Sequence, residues 1–238
     1  FISYSRKDVD FAEKLEKALE NYKPPKGLYV PHRNLDVFRD VTDMTGVEYF
    51  HAIEEHLSNS AKLILICSPN ARHSKSVNDE IRRFVKLHGA ENIIPILLAG
   101  IPNNETYPGQ SAQKAFPEAL CEVMKMPLAT SYRNFNPKKD KIDKGKFEVA
   151  WHNVLANLYN LGRDVVEQRE KKRQQRLRKR RTALLIIVPN LALILIFISI
   201  GIYEGVKSGR MLNVEAYHNA ELAEEFTQRE YQAFSDFS

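Results

Sequence analysis

The chain has 238 residues and a formal net charge of +5, and this length fits one domain with additional segments. Eight cations lie in one run, Lys171 to Arg181, so the rest of the chain is slightly acidic and a nucleic-acid-binding domain is not expected. Cys67 and Cys121 are far apart and form no C-x-x-C motif. Their placement argues against a disulfide framework or a zinc site and favours reduced cytosolic thiols.

Strands and helices are predicted to alternate from the start of the chain. FISYS is apolar and predicts a strand, and Asp8 can cap the amphipathic helix that follows. LDVF, Leu35 to Phe38, is a second short strand. A polar loop that ends at Gly46 leads into another amphipathic helix, whose predicted apolar face contains Ile53 and Leu57.

The third predicted strand is LILIC, Leu63 to Cys67, a short apolar run typical of a buried strand. After a turn at Ser68-Pro69-Asn70, the spacing predicts an amphipathic helix. Glu80 is expected in its first turn and Ser76 one turn earlier, at the edge where open α/β sheets bind ligands. Acidic residues are common in first turns, and Ser76 with Asp79 fits a capping box, so position alone also allows a structural role for Glu80.

The second half of the globular region continues the alternation. NIIPILLAG, Asn92 to Gly100, predicts a fourth strand, in which Pro95 cannot donate to a ladder and favours a place near an edge. A loop over 101–117 leads to a short helix at Ala115 to Met124, and Pro127 to Ser131 predicts a weak fifth strand. A last helix carries Trp151. This alternation predicts a mostly parallel α/β sheet covered by helices on both faces.

Four motifs, taken in order, resemble a Toll/interleukin-1 receptor (TIR) domain of the bacterial type. They are FISYSRKD, FRDVTDMTG, LILICSP and S-x-S-V-N-x-E-I, and the resemblance covers residues 1–162. It implies a flavodoxin-like fold with a five-stranded sheet. It also implies either self-association as a signalling scaffold or cleavage of NAD+, as substrate rather than cofactor, at the nicotinamide–ribose bond.

The resemblance also implies which residues form the site. Glu80 matches the catalytic glutamate near the start of the third helix, and no metal is implied. The substrate-binding positions that it implies are Tyr4, Ser5, Arg6, Arg39, Asp40 and Ser76. Many enzymatic members carry an aromatic residue, usually tryptophan, where this chain has Ser76, and serine cannot supply that ring.

A single carboxylate suits the chemistry of NAD+ cleavage. The nicotinamide of NAD+ is already a cation, so it leaves neutral without the protonation that other glycosides need. An ionised carboxylate can stabilise the oxocarbenium-like ribose that remains, and a helix N-terminus favours that ionised form.

The apolar segment from Ala183 to Tyr203 is long enough to span a bilayer core of about 30 Å. We expect a basic juxtamembrane helix over 163–182, a transmembrane helix over 183–203 and a truncated helical segment over 204–238. The chain lacks a starting methionine, and we expect a fragment of a longer protein. The cations of Lys171 to Arg181 place the TIR-like domain in the cytoplasm and can bind anionic lipid headgroups.

These observations predict a membrane-anchored TIR NADase that is active on oligomerisation, in signalling or prokaryotic immune defence. One alternative is a non-catalytic TIR scaffold, which Ser76 favours, and another is a nucleoside-processing enzyme of similar fold. A response-regulator receiver needs an aspartate at the end of the third strand, where this chain reads Cys67-Ser68-Pro69. G-x-G-x-x-G and Walker A motifs do not occur, so a bound dinucleotide cofactor is not indicated.

Overall fold

A computed structural model describes residues 1–31, 33–39 and 47–235, with side chains for all of these except 47–52 and 230–235. The chain divides into two compact units, Phe1–Arg173 and Gln174–Ser238. The first unit is an α/β domain and the second is helical. The division at 162, 182 and 203 expected from the sequence stays a prediction.

A four-stranded parallel sheet forms the centre of the first unit, in the order β1-β2-β3-β4. Its strands are β1 (Ile2–Ser3), β2 (Leu63–Cys67), β3 (Ile93–Leu97) and β4 (Thr130–Ser131). Strands β2 and β3 pair along their whole length, and every residue in both is buried. The predicted strands at Leu63 to Cys67 and within Asn92 to Gly100 are therefore confirmed.

Pro95 lies in the middle of β3. This strand has β2 on one side and β4 on the other, so it is not an edge strand. The Leu98 amide donates to the Cys67 carbonyl on the β2 side, while the Leu97 carbonyl accepts from Tyr132 on the β4 side. Successive residues of a strand alternate in direction, so the nitrogen of Pro95 also faces β4. Strand β4 pairs with β3 only from Ile96 onward, so the missing N–H of Pro95 breaks no ladder bond.

The prediction of a second strand at Leu35 to Phe38, and hence of five strands, was wrong for the described residues. This segment lies beside β1, but it makes only an isolated parallel bridge, Ile2 with Arg39, and a 2.8 Å hydrogen bond from the Ile2 amide to the Phe38 carbonyl. Because β1 itself has two residues, it offers too short an edge for a longer ladder. Leu35 and Val37 still pack on one side of the sheet and Phe38 on the other, as in an extended chain.

Helices cover both faces of the sheet, as the alternation predicted. One apolar layer joins Ile64, Ile66, Ile94 and Ile96 to helices α1 and α6, and the other joins Leu63, Leu65 and Leu97 to α2, α4 and α5. Their bounds are α1 (Val9–Glu20), α2 (Val47–Ser58), α3 (Pro69–Arg72), α4 (Lys75–His88), α5 (Glu118–Val123) and α6 (Glu148–Tyr159). Alternate residues of the central strands thus fill two separate cores.

Helix α4 begins two residues earlier than the capping-box pattern suggests. Ser74 is the N-cap and its hydroxyl accepts from the Val77 amide at 3.4 Å, so Ser76 is not the cap. Glu80 is the sixth residue of the helix and lies in its second turn, not its first. The helix dipole therefore acts on Glu80 less than the sequence implied, because its effect fades within the first turn.

Helix α7 (Arg163–Ser235) starts within the first unit and packs on it. Val166 is fully buried in the α1–α6 core layer. One turn later, Glu170 is 8% exposed and accepts a 2.9 Å hydrogen bond from the Tyr22 hydroxyl. A further turn on, Arg173 donates to the Lys23 carbonyl at 2.9 Å. The first three turns of α7 are therefore part of the globular core.

In the second unit, α7 continues as the one helix of the described residues that is long and apolar enough to cross a membrane. Its apolar side chains, from Leu184 to Ile202, are exposed. The helix runs through Pro189 without ending. Asn190 and Ser199 donate to the helix's own carbonyls at 2.7 and 2.8 Å, so neither polar side chain needs water.

Candidate functional site

A buried contact between Ser3 and Glu80 lies at the carboxyl end of β1. The Ser3 hydroxyl donates to Glu80 Oε2 at 2.5 Å, and the two side chains are 1% and 8% exposed. Ser3 follows Ile2, which faces the α1 side of the sheet, so Ser3 faces α4. Glu80 reaches it because α4 packs beside β1 with Val77 and Ile81 buried in the α4-side core. The fold thus holds a carboxylate at the edge where parallel sheets bind ligands.

The next residues, Tyr4, Ser5 and Arg6, follow Ser3 directly at this edge. Ser5 is 9% exposed and its carbonyl accepts from the Asp8 amide at 2.7 Å, which closes a helical turn over Arg6–Asp8. Arg6 is exposed. The loop therefore leaves the carboxyl end of β1 in a single tight turn, with Arg6 at the surface beside Ser3.

Arg39 is buried beside this loop and is held by three side chains. Its Nε donates to Glu16 at 2.9 Å and its terminal nitrogen donates to the Tyr4 hydroxyl at 3.0 Å, while Glu13 lies 3.6 Å away. The guanidinium also lies over the Tyr4 ring, 5.7 Å from its centroid. Burial alone would lower the pKa of Arg39, but the hydrogen bonds to Glu16 and Tyr4 outweigh it and raise the pKa. Arg39 therefore fixes Tyr4 to helix α1.

Asp8 does not cap helix α1, although it occupies the N-cap position. Its carboxylate instead accepts from the Ser68 hydroxyl at 2.5 Å and from the Asn70 amide at 3.4 Å. Ser68 caps α3 at the same time by accepting from the Ala71 amide at 3.0 Å. Burial raises the pKa of Asp8, and the hydrogen bonds from Ser68 and Asn70 oppose this only in part.

The remaining predicted site residues have different outcomes. Ser76 is exposed, and its hydroxyl lies 3.0 Å from the hydroxyl of Ser74. Asp40 lies outside the described residues. The structure thus brings Glu80 and the Tyr4–Arg6 loop to the end of β1 and joins Arg39 to Tyr4, and it places Ser76 at the surface.

Three contacts at the candidate site were not predicted from the sequence. Ser3 is the hydrogen-bond donor to Glu80, and Glu13 and Glu16 hold Arg39. The role of Ser3 could have been predicted, because a hydroxyl in a buried strand needs a hydrogen-bond partner. The role of the two glutamates could not, because acids at that spacing on an amphipathic helix are ordinary surface residues.

Comparison with protein families supports the resemblance over part of the chain. The model of the TIR domain family matches residues 1–116, a range that contains β1, β2, β3, Arg39 and Glu80. Residues 117–162, which the resemblance also covered, lie beyond the matched range. No curated protein matches the chain.

Arg39→Lys is expected to destabilise the domain by about 1–3 kcal/mol. Lysine keeps the charge but cannot bridge Glu16 and Tyr4 with a planar fork, and it leaves buried polar groups unpaired. Thermal unfolding of the protein in neutral detergent measures the loss. Arg82→Lys is the matched control, because the exposed Arg82 pairs with Glu122 at the surface and surface pairs contribute little. Equal melting temperatures for both variants would contradict the assignment.

Proposed function

We propose that the protein is a membrane-anchored TIR-domain NAD+ glycohydrolase, which cleaves NAD+ between nicotinamide and ribose when its chains cluster. The observation that carries this proposal is the Ser3–Glu80 contact. It holds a buried carboxylate at the ligand-binding edge of the sheet, inside the range that matches the TIR domain. An acid placed there for surface charge alone would be solvated.

In the proposed reaction, the bond between ribose C1′ and the nicotinamide nitrogen breaks. The nitrogen keeps the electron pair, so nicotinamide leaves as a neutral molecule and positive charge develops on the ribose. The Glu80 carboxylate stabilises this charge at close range. Water, or an internal nucleophile of the ligand, then attacks C1′ and loses a proton. One carboxylate is enough because no leaving-group protonation is required.

The loop Tyr4–Arg6 supplies the rest of the proposed substrate site. The exposed Arg6 puts a positive charge close to Ser3 in the chain, which suits the pyrophosphate of NAD+. Arg39 donates a hydrogen bond to the Tyr4 hydroxyl of this loop. In this proposal Arg39 fixes the loop in place through that hydrogen bond.

Clustering enters the proposal because Glu80 is only 8% exposed. NAD+ can reach the carboxylate only if the residues around it rearrange, and contact with a second chain can supply that rearrangement. A membrane anchor promotes such contacts, since it confines the chains to one surface and raises their effective concentration.

Helix α7 is the proposed anchor. Its exposed apolar stretch is long enough to cross a bilayer, and its internal polar side chains bond to the helix itself, as a lipid environment requires. The cations of Lys171 to Arg181 precede this stretch. Under the positive-inside rule they support a cytoplasmic TIR domain in this proposal, and they would attract anionic lipids.

A second candidate function is a TIR scaffold that recruits other TIR domains without catalysis. The exposed position of Ser76 favours it, because the aromatic ring that many enzymatic members carry there is replaced by a surface hydroxyl. In this case Glu80 has a structural role, which includes its hydrogen bond with Ser3, and the protein acts through self-association.

Glu80→Gln is expected to reduce NAD+ cleavage about 100-fold or more, the usual effect of removing a group that stabilises transition-state charge. The full chain is reconstituted at high density in vesicles, and NAD+ loss and nicotinamide release are followed by chromatography. Asp79→Asn is the matched control, because Asp79 is an exposed neighbour on the same helix. Cleavage at the wild-type rate by Glu80→Gln would remove Glu80 from the mechanism, and absent cleavage by wild type with intact self-association would support the scaffold.

Ser3 is proposed as a positioning residue for Glu80. Ser3→Ala should lower kcat about tenfold and leave KM nearly unchanged, because it removes a hydrogen bond to a charged group and not a substrate contact. Ser3→Thr keeps a hydroxyl and should recover most of the rate. Rates are divided by the folded fraction from a thermal melt. An unchanged kcat for Ser3→Ala, or a loss confined to KM, would overturn this role.

Substitution of the apolar stretch tests the anchor. Leu191→Arg with Ile194→Arg should move the chain out of the carbonate-resistant membrane fraction, since each arginine at a span centre costs about 2.5–3.5 kcal/mol. Leu212→Arg with Val214→Arg, placed beyond the expected span, should leave it there. Release of the wild-type chain by carbonate would show that α7 does not span.

A further inference from the structure

A surface cleft that Glu80 does not line lies at the same edge of the sheet, on its α1 side. It is a cleft of about 1030 Å³ between the start of α1, the segment Leu98–Ile101 after β3 and the segment after β4 that includes Arg133 and Phe135. Phe11 forms part of its wall and belongs to the α1–α6 core layer. Glu80 packs in the opposite layer. The volume is at the upper end for a small-molecule site.

Asp8 is the anchoring group of this cleft. It is 9% exposed and is oriented by Ser68 and Asn70. An ionised carboxylate has about four acceptor positions, so the two hydrogen bonds from the protein leave capacity for a ligand. Asp8 also forgoes the N-cap hydrogen bond that its position favours.

The other charged side chains that line the cleft are two cations and one exposed acid. Lys7 and Arg133 bring the cations, Asp10 brings the acid, and Gln113 and Asn134 bring amides. Gly100 keeps the floor narrow, since a Cβ there would lie 2.5 Å from the Gln113 carbonyl oxygen and 3.0 Å from Pro69. The cleft therefore combines one buried hydroxyl acceptor with two anion-binding side chains on a preformed floor.

We propose that this cleft binds a ribose phosphate, with sugar hydroxyls donating to Asp8 and the phosphate bound by Lys7 and Arg133. A ligand phosphate matches the two cations better than a ligand carboxylate would. Adjacent sugar hydroxyls match the oriented carboxylate of Asp8. The site is distinct from the Glu80 site and does not depend on NAD+ cleavage.

Calorimetric titration of the full chain in neutral detergent with ribose 5-phosphate tests this proposal, with inorganic phosphate as the comparison ligand. Ribose 5-phosphate should bind at least about tenfold more tightly than phosphate, because only the sugar can reach Asp8. Asp8→Asn should remove that advantage, and Arg133→Gln should weaken both ligands several-fold. Arg82→Gln, an exposed arginine outside the cleft, should change neither affinity.

Glu80→Gln separates this site from the proposed reaction, since it should leave ribose 5-phosphate binding unchanged whatever it does to NAD+ cleavage. Equal affinity for ribose 5-phosphate and phosphate would overturn the proposal, as would wild-type binding by an Asp8→Asn variant that melts normally. Arg133 is exposed, so Arg133→Gln remains a test if Asp8→Asn fails to fold. Apparent affinity that falls as protein concentration rises would assign the cleft to a second copy of the chain and overturn it too.

Discussion

The pairing of β2 with β3 is the constraint on which the rest of the domain depends. Five consecutive residue pairs join two strands that are buried along their whole length, so a shift of one residue would exchange the two core layers. This register places Ile64, Ile66, Ile94 and Ile96 under α1 and α6, and it places the leucines of both strands under α4. It also fixes where the strands end, and both candidate sites lie at that edge.

Each candidate site contains a buried carboxylate whose hydrogen-bond donor is a serine at the end of a strand. Ser3 ends β1 and donates to Glu80, and Ser68 follows β2 and donates to Asp8. Burying a carboxylate is costly unless donors replace water, so a short side chain fixed by a strand is an effective partner. The two carboxylates lie on opposite faces of the sheet, so one edge can serve two separate ligands.

Most of the α/β architecture could be predicted from the sequence, because apolar runs and amphipathic spacing are local signals. A strand at Leu35 to Phe38 was wrongly predicted, because the ladder that this segment could form depended on the length of β1 and not on its own residues. Asp8 shows the same limit at the site: a preferred capping residue was drawn away by Ser68 and Asn70, which are distant in sequence. Glu80 was identified by resemblance. Its hydrogen bond with Ser3 and its place in the second turn of α4 could be seen only in the structure.

The docking of the first turns of α7 bears on how a soluble fragment of this protein should be cut. A fragment that ends at Gly162, where the resemblance to the family ends, would uncover the groove that Val166 fills and strip the Tyr22 hydroxyl of its acceptor. It would promote aggregation, because apolar residues of the α1–α6 core layer would become exposed. A fragment that extends through Arg173 keeps these contacts and omits the apolar stretch from Leu184 to Ile202. It is therefore the natural starting point for work in solution.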